Sequence, residues 1–189
     1  MNKRIVTGLI LLSFFVGAWP VSSADEIDGA RHERDRPVAK LFDANGKLVG
    51  KLVYFYGAYV QGGVVLNVHA APVYAGVRHV GDTQQTESAT EMRWEGIRPI
   101  FAGPNCTGAV YVRFASGPLR PTALARSGAT ATLYVASVGR KQIVTVGSTG
   151  GVDPGECYTS DSPSQTLAWK VESTFDLTQH YPEPLRVGY

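Results

Sequence analysis

The sequence predicts an all-β protein, an antiparallel sandwich or barrel of about nine or ten short strands. Three observations carry this expectation. Short runs alternate apolar and polar residues, turn chemistry punctuates them, and no window carries an apolar stripe at helical spacing. The 21 glycines and 11 prolines suit such a turn-rich chain.

The elements follow in chain order. Lys3 and Arg4 precede an apolar run from Ile5 to Trp19, and Ser22-Ser23-Ala24 places small residues at a cleavage site. Residues 1–24 therefore read as a secretory signal peptide, which predicts an exported, periplasmic or extracellular protein. Residues 25–37 are polar and dense in mixed charge, end at Pro37, and read as a flexible leader. Residues 38–189 form the expected single β domain.

Within that domain Asn45-Gly46 is the strongest hairpin signal, with both residues expected to tolerate positive φ. Gln61-Gly62-Gly63, Gly81-Asp82, Ser127-Gly128, Gly139-Arg140 and Asp153-Pro154-Gly155 mark further turns. Val64, Leu66, Val68 and Ala70 alternate with Asn67 and His69, Val110, Val112 and Phe114 with Tyr111 and Arg113, and Ala131, Leu133 and Val135 with Thr130, Thr132 and Tyr134. The longest run puts Leu167, Trp169, Val171, Phe175 and Leu177 on one face, predicting a buried Trp169. Trp94 shares parity with Met92 and is also expected in the core. Most of Thr83–Trp94 reads as loop, and Gly147–Gly155 as a long flexible connection.

Charge excludes some partners. Lys and Arg number 18 and Asp and Glu 16, and Lys3 and Arg4 account for the excess, so the chain after residue 24 sums to zero. A neutral chain argues against nucleic acid, which is bound by clustered cations. No second apolar segment is long enough to span a membrane. The two cysteines, Cys106 and Cys157, are expected to pair in an oxidising compartment. Closing a loop of about fifty residues would remove roughly 4 kcal/mol of unfolded-state freedom.

Candidate chemistry is sparse, and no cofactor is expected. His69 is placed on the wet face of a strand, with His79 beyond a break at Pro72 and Gly76. The two could meet across a hairpin, with Glu87 or Glu91 completing a metal site. Ser148 lies among glycines in the wrong register for a nucleophile elbow. Tyr54, Tyr56 and Tyr59 cluster, with Phe55 on the opposite face; such flat rings can stack on a sugar or cover the end of a core.

Three landmarks span most of the domain: Phe42-Asp43-Ala44-Asn45-Gly46-Lys47-Leu48-Val49-Gly50, Phe101 to Gly108, and Phe175-Asp176-Leu177 followed by Pro184-Leu185-Arg186-Val187. Together they make a chain that resembles small secreted bacterial β-rich proteins of unassigned function. The resemblance implies a bacterial, exported β domain and supplies no activity or site residue.

The expected role is a non-enzymatic binding or structural module at the cell envelope or outside the cell. Its partner would be an envelope polysaccharide or protein, and its sharpest form is carbohydrate binding through Tyr54, Tyr56 and Tyr59. The alternatives are a small secreted hydrolase, metal-assisted through His69 and His79, and a subunit that self-assembles through strand edges.

Overall fold

The computed structural model describes residues 38–54, 61–81, 86–115, 117–151 and 155–189. All of them belong to one compact unit, Pro37–Tyr189. The expected signal peptide and leader, residues 1–37, lie outside the described residues.

The described chain is all-β, with twelve strands against the nine or ten expected. They are β1 (Lys40–Phe42), β2 (Leu48–Val53), β3 (Gly62–Val68), β4 (Ala71–Gly81), β5 (Glu87–Trp94) and β6 (Ile100–Phe101). Then come β7 (Val110–Val112), β8 (Thr122–Ser127), β9 (Thr130–Ala136), β10 (Gln142–Gly150) and β11 (Cys157–Asp176). One helical turn, α1 (Leu177–His180), precedes β12 (Leu185–Gly188).

Six strands close a barrel in the order β1-β12-β5-β4-β3-β2. Alternation explains its inside. Val64, Leu66 and Val68 of β3 and Val73, Ala75 and Val77 of β4 are buried, whereas Val65 and Asn67 are exposed. The remaining strands form a sheet in the order β10-β6-β7-β11-β9-β8. Barrel and sheet share one core: Leu124, Leu133 and Val135 of β8 and β9, with Leu177, join Leu41, Met92, Trp94 and Leu185. Because β10 also pairs with β11, the strands β10, β6, β7 and β11 pair in a cycle. Ile100, Val144, Val146 and Ala168 form a second, smaller core there.

Several local expectations change. Asn45-Gly46 does lie in the β1–β2 turn, but only Gly46 has positive φ, +78°. Asp43 organises that turn by accepting bonds from the Asn45 and Lys47 amides, both at 2.9 Å. His69 is not in a strand: with Ala70 it forms the two-residue turn between β3 and β4, both at positive φ. Pro72 and Gly76 do not break the chain, and β4 runs through both. Gly62 and Gly63 belong to β3 rather than to a turn.

Glu87–Trp94 is strand because its backbone is bonded on both sides, to β4 and β12, which outweighs its polar composition. Likewise Gly147–Gly150 completes β10 between β6 and β11. On β11 the parity read from sequence fails at its centre. Ala168 faces the small core at 0% exposure, while Leu167 and its cross-strand partner Ile143 are 54% and 70% exposed. Trp169 is half-buried rather than core; its indole N–H donates to the Gly139 carbonyl at 3.1 Å, and the Lys141 ammonium lies 4.3 Å from the ring centroid.

Trp94, fully buried, is the tightest node. Its indole N–H donates to the Tyr181 carbonyl at 3.1 Å, and its backbone N–H donates to Glu183 Oε1. Arg126 of β8 grips the same carboxylate with both Nη atoms, at 2.9 and 2.8 Å, and also donates to the Trp94 carbonyl at 3.1 Å. This fork ties the second sheet, the end of β5 and the approach to β12. Neutralising one member strands the other charge in a largely buried place. Glu183→Gln is therefore expected to lower stability by about 3 kcal/mol in denaturant unfolding; a loss under about 0.5 kcal/mol, typical of exposed pairs, would show that the fork carries little.

Candidate functional site

Of the three tyrosines expected at a binding surface, Tyr54 directly follows β2 and is 61% exposed. Tyr56 and Tyr59 lie outside the described residues. A tyrosine that the sequence did not single out, Tyr74, accompanies Tyr54. β4 alternation sends it to the outer face of the barrel, where its ring occupies the space that a side chain at position 63 would need. A Cβ on Gly63 would come within 2.5 Å of the Tyr74 Cζ. Gly63 is thus required by close approach, not by a turn. Tyr74 is only 2% exposed, and burial, helped by Tyr54, pushes its phenol up to about 12.

A folded pKa above the unfolded value means that the proton is held more tightly in the fold. The corresponding stability is fully present below about pH 10 and is lost as pH rises from there towards about 12. Ultraviolet titration should therefore resolve a tyrosine with a midpoint near pH 12 that Tyr74→Phe removes. If the substitution removed instead a signal near pH 10, the burial account of Tyr74 would be wrong.

The second feature is a cleft of about 420 Å³ lined by Arg78, Glu95–Arg98, Arg113, Phe114 and Thr149. Four stretches of chain build it. Arg78 comes from β4, the connection from β5 to β6 supplies residues 95–98, Arg113 and Phe114 follow β7, and Thr149 lies on β10. The connection is pinned on both sides: the Glu95 N–H donates to the Gly76 carbonyl at 2.9 Å, and the Leu124 N–H to the Ile97 carbonyl at 2.7 Å. Gly96 passes so near β8 that an added Cβ would lie 3.0 Å from the Leu124 Cβ. The cleft therefore sits at a fixed seam between barrel and sheet.

Its chemistry is cationic and aromatic. Phe114 is 45% exposed, and the Arg113 guanidinium lies 4.6 Å from its ring centroid. Arg78 pairs with Glu87 at 3.1 Å, and Glu95 with Arg93 at 3.4 Å. The Glu87 carboxyl is held below the usual range, first by the Gln61 amide and then by Arg78. Among the described residues Arg98 and Arg113 have no ion-pair partner, and the Arg113 Nε–H is enclosed without an acceptor. Local patterns gave no sign of this set, because Arg78, Arg98 and Arg113 meet only through tertiary packing.

The remaining candidate groups serve the scaffold. Cys106 and Cys157 are bonded, as expected. Ser148 is buried at their side, accepting from the Cys106 N–H at 2.9 Å and donating to the Gly103 carbonyl at 2.6 Å. Its hydroxyl holds the loop that presents Cys106. His69, in the turn before β4, is separated from His79 by eight strand residues and more, roughly 25 Å along the strand. The hairpin meeting weighed for them as an alternative does not occur. Among the described residues no group of three His, Cys, Asp or Glu side chains is placed to hold a metal.

A wider cavity of about 710 Å³ is lined by Glu91, Arg126, Asp176, Thr178 and Glu183, among others. Arg126 there is paired with Glu183, Glu91 with Arg186 at 3.6 Å, and Asp176 accepts from the Gln179 N–H and the Thr178 hydroxyl. No family model, no curated protein and no solved structure matches this chain.

Proposed function

We propose that this is an exported, non-enzymatic binding module of the cell envelope or extracellular space that takes a polysaccharide as its ligand. One observation carries the reading: an exposed ring, Phe114, forms a wall of a 420 Å³ cleft whose backbone is held rigidly at the barrel–sheet seam. Clefts of roughly 300–1,000 Å³ with apolar walls and a few fixed polar groups suit small ligands or single units of a polymer. A ring offers a flat apolar face for a sugar, and guanidinium donors suit its oxygens.

Tyr54 supports the same reading. It is a second exposed ring on the rigid barrel, and Tyr56 and Tyr59 extend the aromatic composition of that stretch in sequence. Ser148, the nucleophile considered from sequence, is occupied with the loop of Cys106, which favours binding over hydrolysis. The Cys106–Cys157 bond fits an oxidising compartment, in line with the signal-like start of the chain.

A glycan panel with the purified mature protein tests the reading. Retention on at least one envelope-type polysaccharide is expected. Both Phe114→Ala and the triple Tyr54/Tyr56/Tyr59→Ala variant should weaken it, the former by about tenfold, as removal of a stacking ring does. Binding to none of the glycans, or binding that neither variant changes, contradicts the proposal.

A further inference from the structure

We infer that the cleft at the barrel–sheet seam selects a polyanionic glycan, with Arg98 and Arg113 as the residues that recognise its carboxylate or phosphate groups. This inference rests on the polysaccharide reading above and narrows it to a ligand class.

The argument starts from charge. Three arginines and one glutamate line the cleft. Arg78 is balanced by Glu87 and Glu95 by Arg93, so the lining charges left without a described partner belong to Arg98 and Arg113. The chain as a whole is close to neutral, so this local excess is not a by-product of a basic protein. A guanidinium cannot shed its proton to escape a poor environment, and its planar fork matches carboxylate and phosphate oxygens.

Geometry adds a second point. The Arg113 guanidinium lies 4.6 Å from the Phe114 ring centroid, a contact that favours one placement of a side chain rich in rotamers. Its Nε–H is enclosed without an acceptor among the described residues. The acidic lining residue, Glu95, is held towards Arg93, which reduces its repulsion of an incoming anion. Phe114 stays exposed next to these donors. An apolar platform beside two forked cations is the complement of a sugar ring that carries a negative group.

The experiment compares three polymers with the full mature protein: polygalacturonate, whose charge is carboxylate; a phosphomannan, whose charge is phosphate; and a neutral mannan. Binding to one or both charged polymers, at least about tenfold tighter than to mannan, is expected, and which of them binds identifies the anion. Binding should weaken as salt rises from about 0.01 M to 0.15 M. Arg98→Gln and Arg113→Gln should each cost about tenfold against the charged polymer and distinctly less against mannan. Arg98→Gln lies on the connection outside the strands and is the variant to rely on should Arg113→Gln unfold, which circular dichroism would reveal.

Equal affinity for mannan and the charged polymers, insensitive to salt and to both substitutions, overturns the anionic class and leaves polysaccharide binding standing. Failure to bind any glycan, neutral or charged, removes both.

Discussion

The barrel depends on a strand from the far end of the chain. β12 lies between β1 and β5, with Leu41 opposite Val187 and Met92 opposite Leu185. Without it two strands lose a neighbour, and their amides and carbonyls need other partners or water. With it the sheet closes, and Leu185 fills the core beside Leu41 and Trp94. The segment that delivers β12 is the one fastened by Arg126 and Glu183, so the closure and the docking of the second sheet are held by neighbouring contacts. The shared core makes the same point in apolar terms, since Leu124 and Leu133 belong to it as fully as the barrel residues do.

The cleft follows from that junction. Its floor is the connection 95–98, which leaves β5 immediately after Trp94 and is bonded to β4 on one side and β8 on the other. A binding site at a seam gains from rigidity, because little ordering remains to be done when a ligand arrives. The satellite core enclosed by β10, β6, β7 and β11, with the Cys106–Cys157 bond at its margin, fixes the neighbouring positions of Thr149 and Arg113. The disulfide and Ser148 thereby support the scaffold around the site.

How much of this was legible in the sequence depended on distance along the chain. Local alternation located the barrel staves Val64–Val68 and the β9 residues Ala131, Leu133 and Val135, and parity with Met92 placed Trp94 in the core. The cysteine pair was readable because only one pairing exists. Errors arose where partners were remote. Polar β5 is strand because β4 and β12 flank it, and Leu167 is exposed because the small core claims Ala168 instead. The pair Gly62-Gly63 looks like a turn in sequence, yet Gly63 is required by the close approach of the Ala75 carbonyl and the Tyr74 ring from the neighbouring strand. The arginines of the cleft obey no spacing rule, since one strand and two separate connections bring them together; of the three tyrosines expected at a binding surface, Tyr54 alone is among the described residues.

Amide hydrogen exchange resolved to single residues tests the keystone role of the C-terminal strand most directly. If β12 closes the barrel as a full member, those amides of Leu185–Gly188 and β1 that are bonded across the β1–β12 and β5–β12 pairings exchange only with global unfolding, at protection matching the β3–β4 hairpin. Exchange of the same amides by local opening, orders of magnitude faster than in β3 and β4, would show an open sheet with a loosely attached tail and would contradict the account.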